Sequence, residues 1–315
     1  MHRARSVAAR VTHVRIASFA VAGFASWFLL FAGAAPAQAG TLDRVRQTGK
    51  LKLGYRIDAR PFSYRDPSGH AVGFAVSLCA KVADDAKVEL RLPTLAVEFV
   101  PLAMSEAEGA LQQGRIDLLC GAVPTLARRR EVSFSVPVFA SGIGALLRTD
   151  APTRLKDVLS GRETPSQPTW RASAARILET RVFSVVASSR AESALLNRLK
   201  ELRLVVKVVP VKDYAAGIAN VAKRRSDVFF ADRAILLDAA AHSASARNLT
   251  VLDRFFTHET MALALQRGDE DFRLLVDRSL SRLLQSKEIV AIYATYFGKP
   301  DEDALTFFQL SALPE

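Results

Sequence analysis

Cysteine, methionine and histidine are scarce in this chain: its 315 residues hold two Cys, three Met and five His. Beyond the first forty residues the histidines are His70, His242 and His258, far apart and without a Cys or carboxylate at ligand spacing. That scatter excludes a zinc-type centre, and no cofactor constellation is present. G-x-S-x-G, P-loop and G-x-G-x-x-G patterns are missing, which removes the sequence support for hydrolase, nucleotide and dinucleotide readings. After residue 35 no apolar run is long enough to span a bilayer.

What is present begins with an address. Arg3, Arg5, Arg10 and Arg15 form a basic start, an apolar run covers Ile16 to Ala35, and Ala37-Gln38-Ala39 is a small-residue cleavage site before Gly40. The expectation is a signal peptide at 1–39, an exported chain and, in a Gram-negative host, a periplasmic one. No Cys stands at the cleavage point to take a lipid. Losing those four arginines would take the formal charge from +11 to +7. An exported protein rarely meets nucleic acid, so this balance reads as a soluble surface with a cationic cleft and no nucleic-acid partner. Cys79 and Cys120 allow one pairing in an oxidising compartment, but sequence does not fix their Cα separation, and two separately buried thiols remain the alternative.

Along the remainder, strands and helices alternate. A helix is expected over Gly40–Lys50 with Thr41 as its cap, then a strand at Leu51–Tyr55. A hairpin follows around Asp66-Pro67-Ser68-Gly69. Helices at Val76–Ala86 and Ser105–Gln113 flank strands at Val97–Leu102 and Ile116–Leu119, giving a β–α–β pattern and a mainly parallel sheet. Between Ala151 and Thr180 the periodicity fails, and Pro152, Gly161, Pro165 and Pro168 mark a loop-rich insertion with one short helix near Ala172–Leu178. Alternation then resumes through strands at Val182–Ala187, Leu204–Val209, Val228–Ala231 and Leu249–Leu252. Two amphipathic helices, Glu270–Gln285 and Lys287–Phe297, end the pattern. Two such halves separated by an irregular stretch imply two lobes with a cleft, where ligands meet the carboxyl ends of strands.

The central stretch is Cys120–Ser135, CGAVPTLARRREVSFS. A Gly and a Pro break the pattern after a buried strand, Thr125 stands where a helix cap is wanted, and Arg128 falls one turn in. A guanidinium beside open N–H groups is a place for a carboxylate. Asp232 directly follows Phe229-Phe230-Ala231, so its carboxylate at the mouth of a buried strand needs either a cation or the helix it could cap.

These segments resemble the family-3 periplasmic solute-binding proteins, receptors of polar amino-acid ABC importers, and within them the glutamate/aspartate-binding branch. The likeness rests on TLDRVRQTGKLKLGYR, PFSYRDPSGHAVGF, QQGRIDLLCG followed by T-L-A-R and FS, FFADRAILL, ALALQRGDEDF and IYATYFGK in that order. It implies a two-lobed α/β fold of type II, with lobe 1 at 40–146 and 258–315 and lobe 2 at 147–257, including the 151–180 insertion. It also implies crossovers near Leu147 and His258, closure around the ligand, an inner-membrane ABC permease as partner, and a monomer that is not an enzyme.

The resemblance also assigns residues. Arg128 matches the arginine that pairs with a ligand α-carboxylate, Asp232 the aspartate that takes the α-ammonium, and Arg56 the holder of a side-chain carboxylate. Phe62 and Met104 match positions on the lobe 1 wall, and Tyr214 a contact to the ligand side chain. Gly121 and Val123 belong to the carboxylate-binding segment. Ser189-Arg190-Ala191 replaces a Gly-Thr-Thr triplet at a helix N-terminus, so two hydroxyls are lost and a cation is gained. Ala122 and Val123 replace small hydroxyl residues beside Arg128. The expected ligand is a small acidic amino acid or related carboxylate. The alternatives are a sensor or accessory protein with a degenerate site, and a cyclohexadienyl-dehydratase-like enzyme, for which Glu192 and Glu259 are the acids near the cleft edge.

Overall fold

Apolar runs of five to eight residues, set off by Gly, Pro and Asp, become the strands of two sheets. In the computed structural model, residues 40–162 and 174–314 are described; residues 1–39, where the signal peptide is expected, and residues 163–173 of the expected insertion lie outside them. Among the described residues no helix is long and apolar enough to cross a membrane. The chain opens with α1 (Thr41–Thr48), β1 (Lys50–Arg56) and a small ribbon of β2 (Asp58–Ala59), β3 (Ser63–Arg65) and β4 (Ala71–Val72). It continues with α2 (Phe74–Glu89), β5 (Ala96–Leu102), α3 (Ala107–Gln112), β6 (Leu118–Ala122), β7 (Val132–Phe134), β8 (Phe139–Ser141) and β9 (Ile143–Arg148). Next come α4 (Thr153–Ser160), α5 (Ala174–Glu179), β10 (Val182–Val186), α6 (Arg190–Glu201), β11 (Lys207–Val211) and α7 (Tyr214–Ala222). The end is β12 (Val228–Asp232), α8 (Arg233–Ala241), β13 (Leu249–Val251), β14 (Glu259–Gln266), α9 (Glu270–Leu284), α10 (Lys287–Phe297) and α11 (Glu302–Ser311).

The first sheet has the order β5-β1-β6-β14-β7, with β8 pairing β14, and the second runs β11-β10-β12-β9-β13. Each contains three parallel strands, β5-β1-β6 and β11-β10-β12. The remaining pairings in both are antiparallel, because β9 and β14 arrive from the other half of the chain. Leu53, Phe74, Leu78, Leu118, Leu263 and Phe272 anchor the first core, and Leu147, Phe183, Val185, Val228 and Phe230 the second. Each such side chain contributes about 1.5–3 kcal/mol on burial, so these strands and helices are fixed by packing rather than propensity.

Several expectations are corrected. Thr41 does not cap α1; Gly40 is the cap residue, and the Asp269 carboxylate accepts the Thr41 N–H at 2.7 Å. The strand expected at Ile116–Leu119 starts at Leu118 and runs to Ala122, because Asp117 turns in to accept the Lys52 N–H and pair with Arg44. Thr125 does accept the Arg128 N–H at 3.1 Å, but the turn it starts is a 3-10 turn, Arg128–Arg130, and not an α-helix. In the stretch read as loop, Thr153–Ser160 is helical and buries Leu155 and Leu159, one turn apart. Pro152 and Gly161, read as breakers, are its start and its left-handed C-cap.

The first crossover lies earlier than Leu147. All of β9 belongs to the second sheet, so the chain passes between the sheets at Gly142. It returns through Thr257 and His258 into β14, whose Glu259 lies opposite Ser141 of β8. Cys79 of α2 and Cys120 of β6 form a disulfide with Cα atoms 5.9 Å apart, which settles the choice against separate thiols.

Candidate functional site

Strand ends and helix starts bring the candidate residues together beside the crossover. Arg56 ends β1, and its backbone is held by Ser63, whose Oγ accepts the Arg56 N–H at 2.8 Å and donates to the Arg56 carbonyl at 2.9 Å. Its guanidinium binds Asp58 at 2.7 Å and lies 5.8 Å from the centroid of the Tyr214 ring. Tyr214 starts α7 under an Asp213 cap and packs against the cores of both sheets. Burial pushes its phenol up, and the Arg56 cation pulls it back. Met104, although it follows β5 of the first sheet, packs against the second-sheet cluster of Leu146, Ile218 and Leu236. Ile235 of α8 packs in the other direction, into the first core. Met104, Tyr214 and Ile235 therefore make apolar contacts between the two halves.

Arg128 follows β6 by six residues. Its Nη1 donates to the Val123 carbonyl at 2.8 Å, and its Nε and Nη2 pair with the Glu108 carboxylate of α3. Val123 thus meets Arg128 through its backbone carbonyl. Gly121 lies in β6 at φ +95, and a Cβ there would stand 3.1 Å from Ala75 Cβ and 3.2 Å from Met261 Sδ. Only glycine fits both that backbone and that space, so Gly121 serves the turn away from the strand.

Asp232 closes β12 and caps α8, accepting the Ala234 N–H at 3.0 Å. Its other oxygen takes the Ser141 hydroxyl. Burial pushes the carboxyl up, opposed by Ser141, by the Arg190 cation and by the two helix N–H groups. Ser189 caps α6 by accepting the Glu192 N–H at 3.2 Å, and Glu192 returns a carboxylate to the Ser188 N–H at 2.7 Å. Arg190 is the first residue of that helix and meets the Glu259 carboxylate of β14. Burial lowers the Arg190 guanidinium, Asp232 and Tyr214 oppose this, and Arg128 adds to it. Arg128, Arg190, Asp232 and Tyr214 therefore share one electrostatic neighbourhood, with Arg56 attached through Tyr214.

Phe62 is placed differently. It is 2% exposed and sits among Phe139 at 4.9 Å and Phe297 at 5.5 Å between ring centroids, in the aromatic core rather than on a cleft wall. Three residues of the site were not singled out from sequence in the roles they hold. Glu108 and Ser141 carry no local signal, being 20 and 91 residues from their partners, and Glu259, expected as an acid near the cleft edge, is the counter-ion of Arg190. No group of three or more metal-binding side chains occurs among the described residues.

A family model described as "Bacterial extracellular solute-binding proteins, family 3" matches residues 51–299. The glutamate/aspartate import solute-binding protein of Escherichia coli is 25% identical over 269 residues, covering 85% of this chain and 82% of that protein. The L-glutamate/L-aspartate-binding protein of Pseudomonas aeruginosa is 25% identical over 263 residues, with 83% and 81% covered. Among solved structures, an ancestral amino acid-binding protein described as a precursor of cyclohexadienyl dehydratase superposes with a TM-score of 0.65 at 24% identity, covering 82% of this chain and all of that one. That likeness carries the two-lobed type II fold. The family match extends from β1 past the end of α10 and takes in both sheets and every residue of the candidate site. The chain belongs to the bacterial extracellular solute-binding proteins, family 3.

Proposed function

We propose that this protein is the exported, periplasmic receptor of an amino-acid ABC importer, and that it binds a small acidic amino acid or related carboxylate by closure of its two lobes. The observation that carries this reading is that Arg190 lies within electrostatic reach of Asp232, Tyr214 and Arg128, while Arg56, from a third segment, lies 5.8 Å from the Tyr214 ring centroid. Arg128 would take the α-carboxylate, Asp232 the α-ammonium, and Arg56 or Arg190 a second carboxylate. The curated relatives named for glutamate and aspartate support the ligand class. Importer partnership rests on the same likeness.

The test is a thermal-shift screen of the purified exported protein against glutamate, aspartate, glutamine, lysine and simple dicarboxylates. A ligand at 100 times its Kd stabilises by about 2.7 kcal/mol, a shift of several degrees at most. Glutamate or aspartate giving the largest shift is the expected result; a larger shift with lysine would overturn the acidic assignment.

A second reading is favoured by one specific observation. Each of the three arginines already meets a carboxylate of its own chain: Asp58, Glu108 and Glu259. A site neutralised in this way fits a sensor or accessory protein that has lost its solute, and silence throughout the screen would favour it. The enzymatic alternative gains nothing here. Glu192 is engaged at the cap of α6 and Glu259 at Arg190, so neither acid weighed for that role is free to donate a proton.

A further inference from the structure

Glu259 is the first residue of β14, where the chain re-enters the first sheet, and it stands opposite Ser141 in the β8–β14 pair. Those two neighbours both reach toward the second half of the chain. Ser141 donates to Asp232 at the end of β12, and Glu259 meets Arg190 at the start of α6. The facing atoms, Glu259 Oε2 and Arg190 Nη1, are buried and make no hydrogen bond among the described residues, so the contact between them is an ion pair. The twelve-residue helix α6 also presents its N-terminus here, so its dipole adds to the positive field of Arg190. The Glu259 carboxylate therefore occupies the kind of place a ligand carboxylate would take: a guanidinium at a helix N-terminus, with Arg128 contributing further positive charge nearby.

We propose that Glu259 is a tethered stand-in for a ligand carboxylate. In the ligand-free protein it neutralises Arg190 and ties the start of α6 to β14 across the crossover. An acidic ligand displaces it, and a ligand without a second carboxylate leaves it in place. The ligand half of this inference rests on the proposed acidic reading, whereas the tie between α6 and β14 stands on the ion pair alone. The physical reason for an effect of useful size is that the facing atoms are shielded from water although the two side chains are 27% and 20% exposed. Desolvation already disfavours the Arg190 cation, so a carboxylate at its Nη1, from Glu259 or from a ligand, adds to the support it has from Asp232. Tethering gives Glu259 a high local concentration at Arg190, and every competing carboxylate must overcome it. Glu259 is thus a specificity-determining residue that sets how much negative charge a ligand must bring.

The experiment compares the native protein with Glu259→Gln, which keeps the side chain's shape, and with the double variant Arg190→Gln/Glu259→Gln. Glutamate and glutamine, equal in shape and different in charge, are titrated by calorimetry, and the ligand-free radius of gyration is measured by X-ray scattering. Expected are a roughly tenfold tighter glutamate Kd in Glu259→Gln, an unchanged glutamine Kd, and loss of the glutamate gain in the double variant. The ligand-free Glu259→Gln protein is expected to be more open than the native one. Unchanged or weaker glutamate binding in a folded Glu259→Gln protein would overturn the displacement role. If neither amino acid binds any of the proteins, the acidic reading fails, and the scattering alone decides the tie: equal radii would overturn that too.

Discussion

Gly142 lies so close beneath Thr257 that a Cβ on Gly142 would stand 2.1 Å from the Thr257 carbonyl oxygen. The two crossover strands therefore pass in backbone contact, and Thr257 Oγ1 also accepts the Ile143 N–H at 3.0 Å. Any side chain at Gly142 must push the strands apart. Gly142→Ala is expected to lower stability by about 1–3 kcal/mol, as overpacking does, and to alter closure because the strain falls on the hinge. Gly109→Ala is the control: its added methyl would meet only Gln113 at 3.9 Å inside α3, and the exchange should be neutral or stabilising by about 0.5–1 kcal/mol. Urea unfolding of both variants checks the pair; equal effects would remove the steric argument.

Local chemistry was legible in the sequence, and long-range pairing was not. The apolar spacing of Glu270–Gln285 and Lys287–Phe297 announces their helices, because that periodicity is contained within each segment. The same local logic misplaced α4, since Pro152 and Gly161 are equally the marks of a loop and of a short helix's two ends. At the site, Arg128 and Asp232 were found because a cation and an acid follow strands at their carboxyl ends. Glu108 as the partner of Arg128 and Glu259 as the partner of Arg190 are not legible, because an ion pair between distant segments leaves no trace in spacing. The crossover was misplaced for a related reason. Ile143–Leu147 is uniformly apolar and suits either sheet, and only pairing with β12 and β13 assigns it.

The Cys79–Cys120 bond fastens α2 to β6 immediately before the Arg128 segment, closing a sequence separation of 41 residues. In the chain-entropy account a loop of that size is worth about 4 kcal/mol. Replacing both cysteines with Ala, or unfolding under reducing conditions, should lower the urea midpoint accordingly while leaving the fold intact at low temperature. A midpoint indifferent to reductant would mean the bond does not form in the isolated protein.

Asp232 offers a prediction in which stability and binding move oppositely. Its carboxyl is raised by burial, so its contribution to stability is present below the unfolded value of about 3.9 and is lost as pH rises through the folded value. Above that folded value the ligand-free protein holds an ionised group that burial disfavours. Asp232→Asn should therefore raise the ligand-free Tm at pH above the folded value, and that gain should shrink on acidification. Asp150, held down to about 2 by its hydrogen bond to Arg148 and by Arg224, titrates the other way in both proteins and cancels in the difference. Binding of an amino acid should be lost in the same variant. A Tm difference that does not vary with pH would show that Asp232 titrates as an ordinary exposed acid.

Arg128 and Glu108 make an ion pair that is open to solvent, with side chains 28% and 37% exposed. Pairs of this kind are worth only about 0–1 kcal/mol, so Glu108 is a weak competitor for Arg128. Glu108→Gln should therefore tighten carboxylate binding by no more than about fivefold. Removing the arginine is a different matter, because a ligand carboxylate enclosed by lobe closure would be left without its cation. Arg128→Ala should weaken binding by about 2–5 kcal/mol, a factor of roughly 30 or more. Calorimetric titration with glutamate or aspartate at two ionic strengths separates the cases: salt should erode the small Glu108 effect and leave the Arg128 loss largely intact. Undiminished affinity in Arg128→Ala would mean that this arginine belongs to the surface, like Arg129 and Arg130 beside it.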